Sequence, residues 1–254
     1  MSAVDYTAIL LAAGQGTRIA GTTAEPKVLL DLYGRSLLER HFEAWEAAGI
    51  KSAVLVVGFE QRLIRDAVTA IDTSLEITLV DNLEFASKGN THSMWLGLEA
   101  SPAGAVVFDA DLVYEPGILQ RCMTGPSSAI LVGAASLDDI ECTKALVDEA
   151  GHVRMTIDKR EVTTAELERY QFAGEAMGVL KFDAVMREKL AAAAAAFLAK
   201  TSNSMLNWEH LLNEFLMRED VACHFDPSDQ WVEIDTPEDY TLARQKFARE
   251  GKGS

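Results

Sequence analysis

Apolar and polar positions alternate along this chain in blocks that read as strands and helices. Tyr6 to Ala13 is an apolar run. A run apolar on both faces suits a strand inside a parallel sheet with helices on either side. The segment 35–48 then has helical spacing at Leu37, Leu38, His41, Phe42 and Trp45, and stops at Gly49. The pattern predicts a buried strand at 52–57, a helix at 61–71, a strand at 75–80 ending in Asp81-Asn82, a helix at 90–99 and a strand at 104–108. Strand–helix alternation of this length gives βαβ units and a doubly wound, mostly parallel α/β sheet. After Ser127 strands follow one another, at 128–135, 143–148, 152–158 and 172–182. The 143–158 pair turns at Asp148-Glu149-Ala150-Gly151 and reads as an antiparallel hairpin. Helices return at 183–199, 207–218 and 237–249.

The first strand breaks off at Gly14-Gln15-Gly16, followed by Thr17-Arg18 and by Glu25-Pro26-Lys27. Glycines here let backbone N–H groups approach an anion closely, and Arg18 and Lys27 add cations. A dinucleotide fingerprint would need glycine at position 19, which is Ile19, and the Gly-Lys-Ser/Thr of a P-loop is absent. A tight turn with a solvated Arg and Lys is the plainer reading of Gly-x-Gly alone. Added to that turn, Arg18 and the Pro-Lys pair favour a phosphate loop.

Leu11-Ala12-Ala13-Gly14-x-Gly16-Thr17-Arg18 with Pro26-Lys27 resembles the opening signature of the nucleotidyltransferases that make sugar nucleotides and CDP-alcohols. The resemblance implies a Rossmann-like nucleotidyltransferase fold with an antiparallel acceptor-side insertion, as one domain over 5–250. Residues 5–125 would form its nucleotide-binding half and 126–250 its acceptor-binding half. It implies that Leu11, Ala12, Ala13, Gly14 and Gly16 bind the nucleoside triphosphate, with Arg18 and Lys27 as catalytic cations on phosphate. Gly89-Asn90-Thr91-His92-Ser93 matches a family string near the base at Asn90 and Ser93.

Composition narrows the partners. With 254 residues and 48% hydrophobic composition the chain can bury a sizeable core. The net charge of −16 argues against nucleic acid or an anionic membrane as partner. It also means that a polyphosphate site must be built from a few local cations and a metal. No apolar stretch reaches the roughly 20 residues of a membrane span, and Met1 to Asp5 lacks the basic and apolar segments of a signal peptide. Cys122, Cys142 and Cys223 are scattered without ligand spacing, which suits reduced thiols in the cytoplasm.

Phe108-Asp109-Ala110-Asp111 ends a buried strand with two carboxylates, which repel unless a cation sits between or beside them. A helix cap or turn would explain one aspartate; two after a phosphate loop point to a divalent metal. Near the chain's end, Glu233 and Asp235 alternate with apolar residues and so share a strand face. Thr236, Glu238 and Asp239 read as the cap and first turn of a helix begun by Pro237. The segment Glu233-Ile234-Asp235-Thr236-Pro237-Glu238-Asp239 resembles the family's carboxy-terminal metal-binding string. The resemblance thus implies Mg²⁺ on Asp111, Asp235 and Glu233, with Asp109 as a further candidate.

The hairpin with Lys144 and Asp158-Lys159 resembles the family's acceptor hairpin, which gives Lys159 a catalytic, acceptor-binding role; as a residue alone it equally suits a solvated turn. Glu175, after Gly174, and Glu209, after Trp208, are similar to acceptor-pocket carboxylates of the cytidylyl branch. An exposed helix position would equally explain Glu209. Trp208, Trp231, Tyr170 and Phe172 offer ring faces to an ammonium group.

The expected reaction has an acceptor phosphate or phosphonate oxygen attack the α-phosphorus of a nucleoside triphosphate, releasing pyrophosphate. That oxygen is already anionic near neutral pH, so alignment and charge neutralisation suffice. The branch resembled joins CTP to phosphocholine, 2-aminoethylphosphonate or similar small phospho-alcohols. A sugar-1-phosphate nucleotidyltransferase using UTP, dTTP or GTP, and a non-catalytic nucleotide-binding regulator, are the alternatives. A homodimer stays open.

Overall fold

The computed structural model describes residues 5–14 and 25–248; Gly16 and Arg18 lie outside the described residues. Strand β1 (Tyr6–Ala12) is buried almost throughout. Its residues alternate between two apolar layers, Ala8 and Leu10 facing one and Ile9 the other. β2 (Ser52–Val57), β3 (Glu76–Asp81) and β4 (Gly104–Asp109) join it in parallel, β1 lying between β2 and β4 and β2 between β1 and β3.

The helices cover both faces. On one side α1 (Leu37–Ala47), α2 (Gln61–Ala70) and α4 (Pro116–Thr124) bury Phe42, Trp45, Ile64 and Ile118 against the sheet. A capping box starts α1: Ser36 Oγ accepts from the Glu39 N–H, and Glu39 reaches back to the Ser36 N–H. On the other side α3 (Asn90–Ala100), α6 (Ala184–Leu198) and α7 (Trp208–Leu216) bury Met94, Leu98, Ala194, Phe197 and Leu212. The six alanines at 191–196 in α6 thus supply a slim helix face on the sheet, through Ala191 and Ala194, as well as helix propensity.

The second half of the chain extends the same sheet. β9 (Gln171–Phe182) pairs antiparallel with both β4 and β6 (Ala129–Gly133), and β10 (Ala222–Phe225) adds in parallel to β6. The order is β10-β6-β9-β4-β1-β2-β3, a mostly parallel mixed sheet in which β9 runs against its neighbours. The expected hairpin is present as β7 (Lys144–Val147) and β8 (Val153–Ile157), with β7 also paired to β9. A short helix, α5 (Thr164–Leu167), precedes β9.

Four elements depart from the expected pattern. β5 (Leu112–Tyr114), α4, α5 and β10 are additions; β5 pairs antiparallel with β11 (Trp231–Glu233), which falls where strand residues were expected but stops before Asp235. Asp235 is therefore not a strand residue beside Glu233. It sits in the turn between β11 and α8 (Pro237–Lys246), because Asp239 caps that turn. Leu32, Leu37, Val113, Val232, Ile234 and Phe247 pack together and pin this pair to the segment after the first loop. No helix among the described residues is long and apolar enough to cross a membrane.

Candidate active site

The carboxyl ends of β1 and β4 open into a cavity of about 820 Å³. Ligands of open α/β sheets bind at this end. Every candidate site residue that the structure describes lines it. Leu11, Ala12, Ala13, Gly14, Asn90 and Ser93 form one wall; Lys27, Asp109, Asp111, Glu233 and Asp235 another; Lys159, Glu175 and Glu209 a third. Trp208 and Trp231 also line it, whereas Tyr170 and Phe172 do not. The described lining carries eleven carboxylates and three lysines, so an anionic ligand needs added cations.

Asp111, Glu233 and Asp235 converge through the small β5–β11 pair. Leu112 stands opposite Glu233, and the Ile234 N–H donates to the Asp111 carbonyl at 2.9 Å. Asp239 Oδ2 accepts from the Thr236 N–H at 2.8 Å and from the Asp235 N–H at 3.1 Å, fixing the turn that presents Asp235. One oxygen from each of the three carboxylates lies within 4.8 Å of the others. Oxygen-only donors at such spacing suit a hard divalent cation such as Mg²⁺.

Lys27 already supplies a cation there. It opens the 3-10 turn Lys27–Leu29, and its Nζ donates to Asp111 Oδ2 at 3.0 Å and to Asp235 Oδ1 at 2.6 Å. Burial works to lower the ammonium's pKa, but the two carboxylates outweigh it and hold it above the usual 10.5. Glu233 is exposed in the cavity. Even so, the protein packed around it and then Asp111 and Asp235 push its carboxyl up to about 8. A divalent ion at this point would favour the ionised form of Glu233 and satisfy all three carboxylates together.

Asp109 takes a different position. It stays outside the three-carboxylate cluster, and its Oδ1 accepts from Trp208 Nε1 at 3.4 Å. Burial, then Asp111, Glu233 and Glu209, raise its pKa well above the usual 3.8. Gly178 backs it with φ +68, where an added Cβ would stand 2.8 Å from Asp109 Oδ2. A carboxyl so enclosed favours its neutral form.

Lys159 follows β8 with φ 45, a backbone strain uncommon in a lysine and frequent at functional positions. Its Nζ lies 3.6 Å from Asp235 Oδ2, so hairpin and metal cluster share one cavity. Lys144 is fully buried, donating to the Arg160 carbonyl at 3.1 Å, and so is structural. Glu209 is half-buried rather than on an exposed helix face, and its Oε2 has no hydrogen-bond partner among the described residues. Burial raises its pKa. Asn90 Oδ1 accepts from the Trp208 N–H at 2.8 Å, so Asn90 also joins the starts of α3 and α7.

Glu175 yields a pH prediction. Burial, then Asp139, raise its carboxyl from the usual 4.5 to about 7, with Lys144 opposing. The folded state thus holds this proton more tightly than the unfolded chain. The resulting penalty is absent below pH 4.5 and complete above pH 7. Glu175→Gln should match wild-type stability near pH 4.5 and exceed it at pH 8 by about 1–2 kcal/mol, after discounting for solvent in the cavity. Thermal unfolding at both pH values checks this; a gain equal at both would rule out the titration.

The sequence reading passed over Asn82 and His92, which back the cavity wall behind Ser93. Asn82 was visible only as a polar residue closing a strand.

Comparison with known proteins agrees with this geometry. The MobA-like NTP transferase domain matches residues 8–195. The chain is 26% identical over 159 residues to CMP-5'-(3-aminopropyl)phosphonate synthase of Streptomyces rubellomurinus, covering 62% of this chain and 25% of that protein, so it spans a quarter of that relative. It is 24% identical over 238 residues to 2-aminoethylphosphonate cytidylyltransferase of Lancefieldella rimae, covering 90% of this chain and 88% of that protein. The fold is that of CTP:phosphocholine cytidylyltransferase from Streptococcus pneumoniae, with TM-score 0.77, 22% identity, and 95% and 99% of the two chains covered. The strand-end carboxylates and a family match over residues 8–195 lead to one conclusion: this chain belongs to the MobA-like NTP transferase family.

Proposed function

We propose that the protein is a Mg²⁺-dependent cytidylyltransferase of the cytoplasm. It would join CTP to a small phospho-alcohol or phosphonate bearing an ammonium group and release pyrophosphate. The observation that carries this reading is the carboxylate cluster bridged by Lys27 beside the strand ends of a nucleotide-sized cavity. Residues 5–125 would supply most of the nucleotide side and 126–250 most of the acceptor side.

In this reading the acceptor's anionic oxygen attacks the α-phosphorus, and the bond to the bridging oxygen of pyrophosphate breaks. No general base is required, so the residues' work is alignment and charge balance. Asp111, Asp235 and Glu233 would hold Mg²⁺, which when bound neutralises charge on the triphosphate and the leaving pyrophosphate. Lys27 and Arg18 would neutralise the phosphates, and Lys159 would hold the acceptor's phosphate. The wall of Leu11, Ala12, Ala13, Gly14, Asn90 and Ser93 would take the nucleoside.

Two features support an ammonium-bearing acceptor. The relatives above are named for aminoalkylphosphonates, and the cavity offers Glu175, the unpartnered Glu209 Oε2, and the rings of Trp208 and Trp231. A ring face under a cation contributes roughly 0.5–2 kcal/mol, so the rings would tune selectivity while phosphate contacts supply most of the binding. The test is kcat/KM for phosphocholine, 2-aminoethylphosphonate, 2-hydroxyethylphosphonate and glucose 1-phosphate, with CTP and UTP. We expect CTP and an ammonium acceptor to lead the hydroxyl analogue by at least about 10-fold. Preference for glucose 1-phosphate would make the protein a sugar nucleotidyltransferase. Pyrophosphate release with none of them would favour a nucleotide-binding regulator.

A further inference from the structure

Behind the nucleoside wall runs a hydrogen-bonded chain whose direction is set by a backbone amide. Asn82 follows β3 and is only 1% exposed. Its Oδ1 accepts from the Glu84 backbone N–H at 3.0 Å. That N–H can only donate, so chemistry assigns which end of the Asn82 amide is oxygen. Oδ1 also lies 3.0 Å from His92 Nδ1, which must therefore carry the imidazole proton. Burial, then Lys88, hold His92 below its usual pKa, with the Glu84 carboxylate, 3.5 Å from Nε2, opposing.

The other end of the amide, Nδ2, then donates to Ser93 Oγ at 2.9 Å. Ser93 is 4% exposed and lines the cavity; Asn82 does not. With one lone pair taken by Asn82, the Ser93 hydroxyl keeps its own proton, and no acceptor for it occurs among the described residues. A buried donor without a partner costs free energy unless a ligand supplies one.

We propose that Asn82 is a positioning residue that makes Ser93 a hydrogen-bond donor to an acceptor atom, a keto oxygen or bare ring nitrogen, of the nucleotide's base. This rests on the nucleotidyltransferase reading above. Asn82→Asp reverses the polarity at little steric cost. A carboxylate still accepts from Glu84 and His92, but it can only accept from Ser93, so the hydroxyl proton turns inward, away from the cavity.

The experiment is calorimetric titration of wild type, Asn82→Asp, Ser93→Ala and the double variant with CTP and Mg²⁺ and no acceptor, with thermal unfolding as control. Each single variant should weaken CTP about 10-fold, the scale of one net hydrogen bond. The double variant should be no weaker than either alone, since both remove the same contact. For Asn82→Asp, whose residue does not line the cavity, the loss should fall on KM for CTP rather than on kcat. If the aspartate variant fails to fold, Asn82→Ala replaces it; alanine leaves the Ser93 hydroxyl unoriented rather than reversed, so a smaller loss is expected, one that does not add to that of Ser93→Ala. Wild-type affinity in Asn82→Asp, or losses that multiply in the double variant with either substitution at 82, would overturn the relay alone. Failure of wild type to bind CTP, UTP, dTTP, GTP or ATP would overturn the relay and the nucleotidyltransferase reading together.

Discussion

Asp111→Asn and Asp235→Asn should each lower the proposed Mg²⁺-dependent turnover by at least about 100-fold, the scale of losing a preorganised charge at a phosphoryl-transfer site. Both residues meet at one point, through Lys27 and through the backbone link from Ile234 to Asp111. Asparagine preserves shape and removes the charge that an oxygen-coordinated divalent ion requires. From the sequence, removing one of two facing carboxylates would relieve repulsion and leave the fold unharmed or improved. The ammonium between them reverses that sign, because each substitution deletes one of its ion pairs. About 0.5–1.5 kcal/mol of stability should be lost in the metal-free protein. Steady-state kinetics across Mg²⁺ concentrations and thermal unfolding in EDTA check the two parts. A variant that keeps both its activity and its magnesium requirement would break the pairing of these positions.

Lys27→Ala should cost ~2–4 kcal/mol of transition-state stabilisation, read as kcat/KM. It should also do what a solvated loop lysine would not, which is to destabilise the protein in EDTA. Its side chain is 13% exposed, and its partners Asp111 and Asp235 are 20% and 21% exposed. Without the ammonium, two half-buried carboxylates face each other across the gap. The loss should be about 1–2 kcal/mol, below that of a fully buried pair because water still reaches both carboxylates. Millimolar Mg²⁺ should restore much of the lost Tm by replacing the missing cation, and should shift wild type less. Equal Tm values for variant and wild type in EDTA would mean that the bridge contributes nothing to stability.

Local patterns made part of this fold legible. β1, β2 and β4 read correctly because helices cover both faces of a parallel sheet, leaving apolar runs with few polar breaks. The β7–β8 hairpin announced itself through Asp148 and Gly151, whose φ of +80 a side chain would resist. β5 spans three residues, too few for any period to show, and exists because it pairs with β11. β10 joins β6 from a distant part of the chain, so its pairing has no local signature.

The same division holds at the active site. The sequence by itself determined the residue types and their strand-end settings: Lys27 after Pro26, Asp111 after a buried strand, and Thr236 and Asp239 capping the last helix. Each follows from local constraint, since turns, caps and strand ends are chosen by residues a few positions apart. The tertiary structure alone decided which of these groups meet. Lys27 reaches Asp111 across 84 positions and Asp235 across 208, while Asp109, two residues from Asp111, turns toward Trp208. It also decided charge, because the rise of Glu233 to about 8 and Glu175 to about 7 depends on burial and on neighbours from distant strands. Proximity and protonation depend on how non-local strands pack, and no short stretch of sequence carries that information.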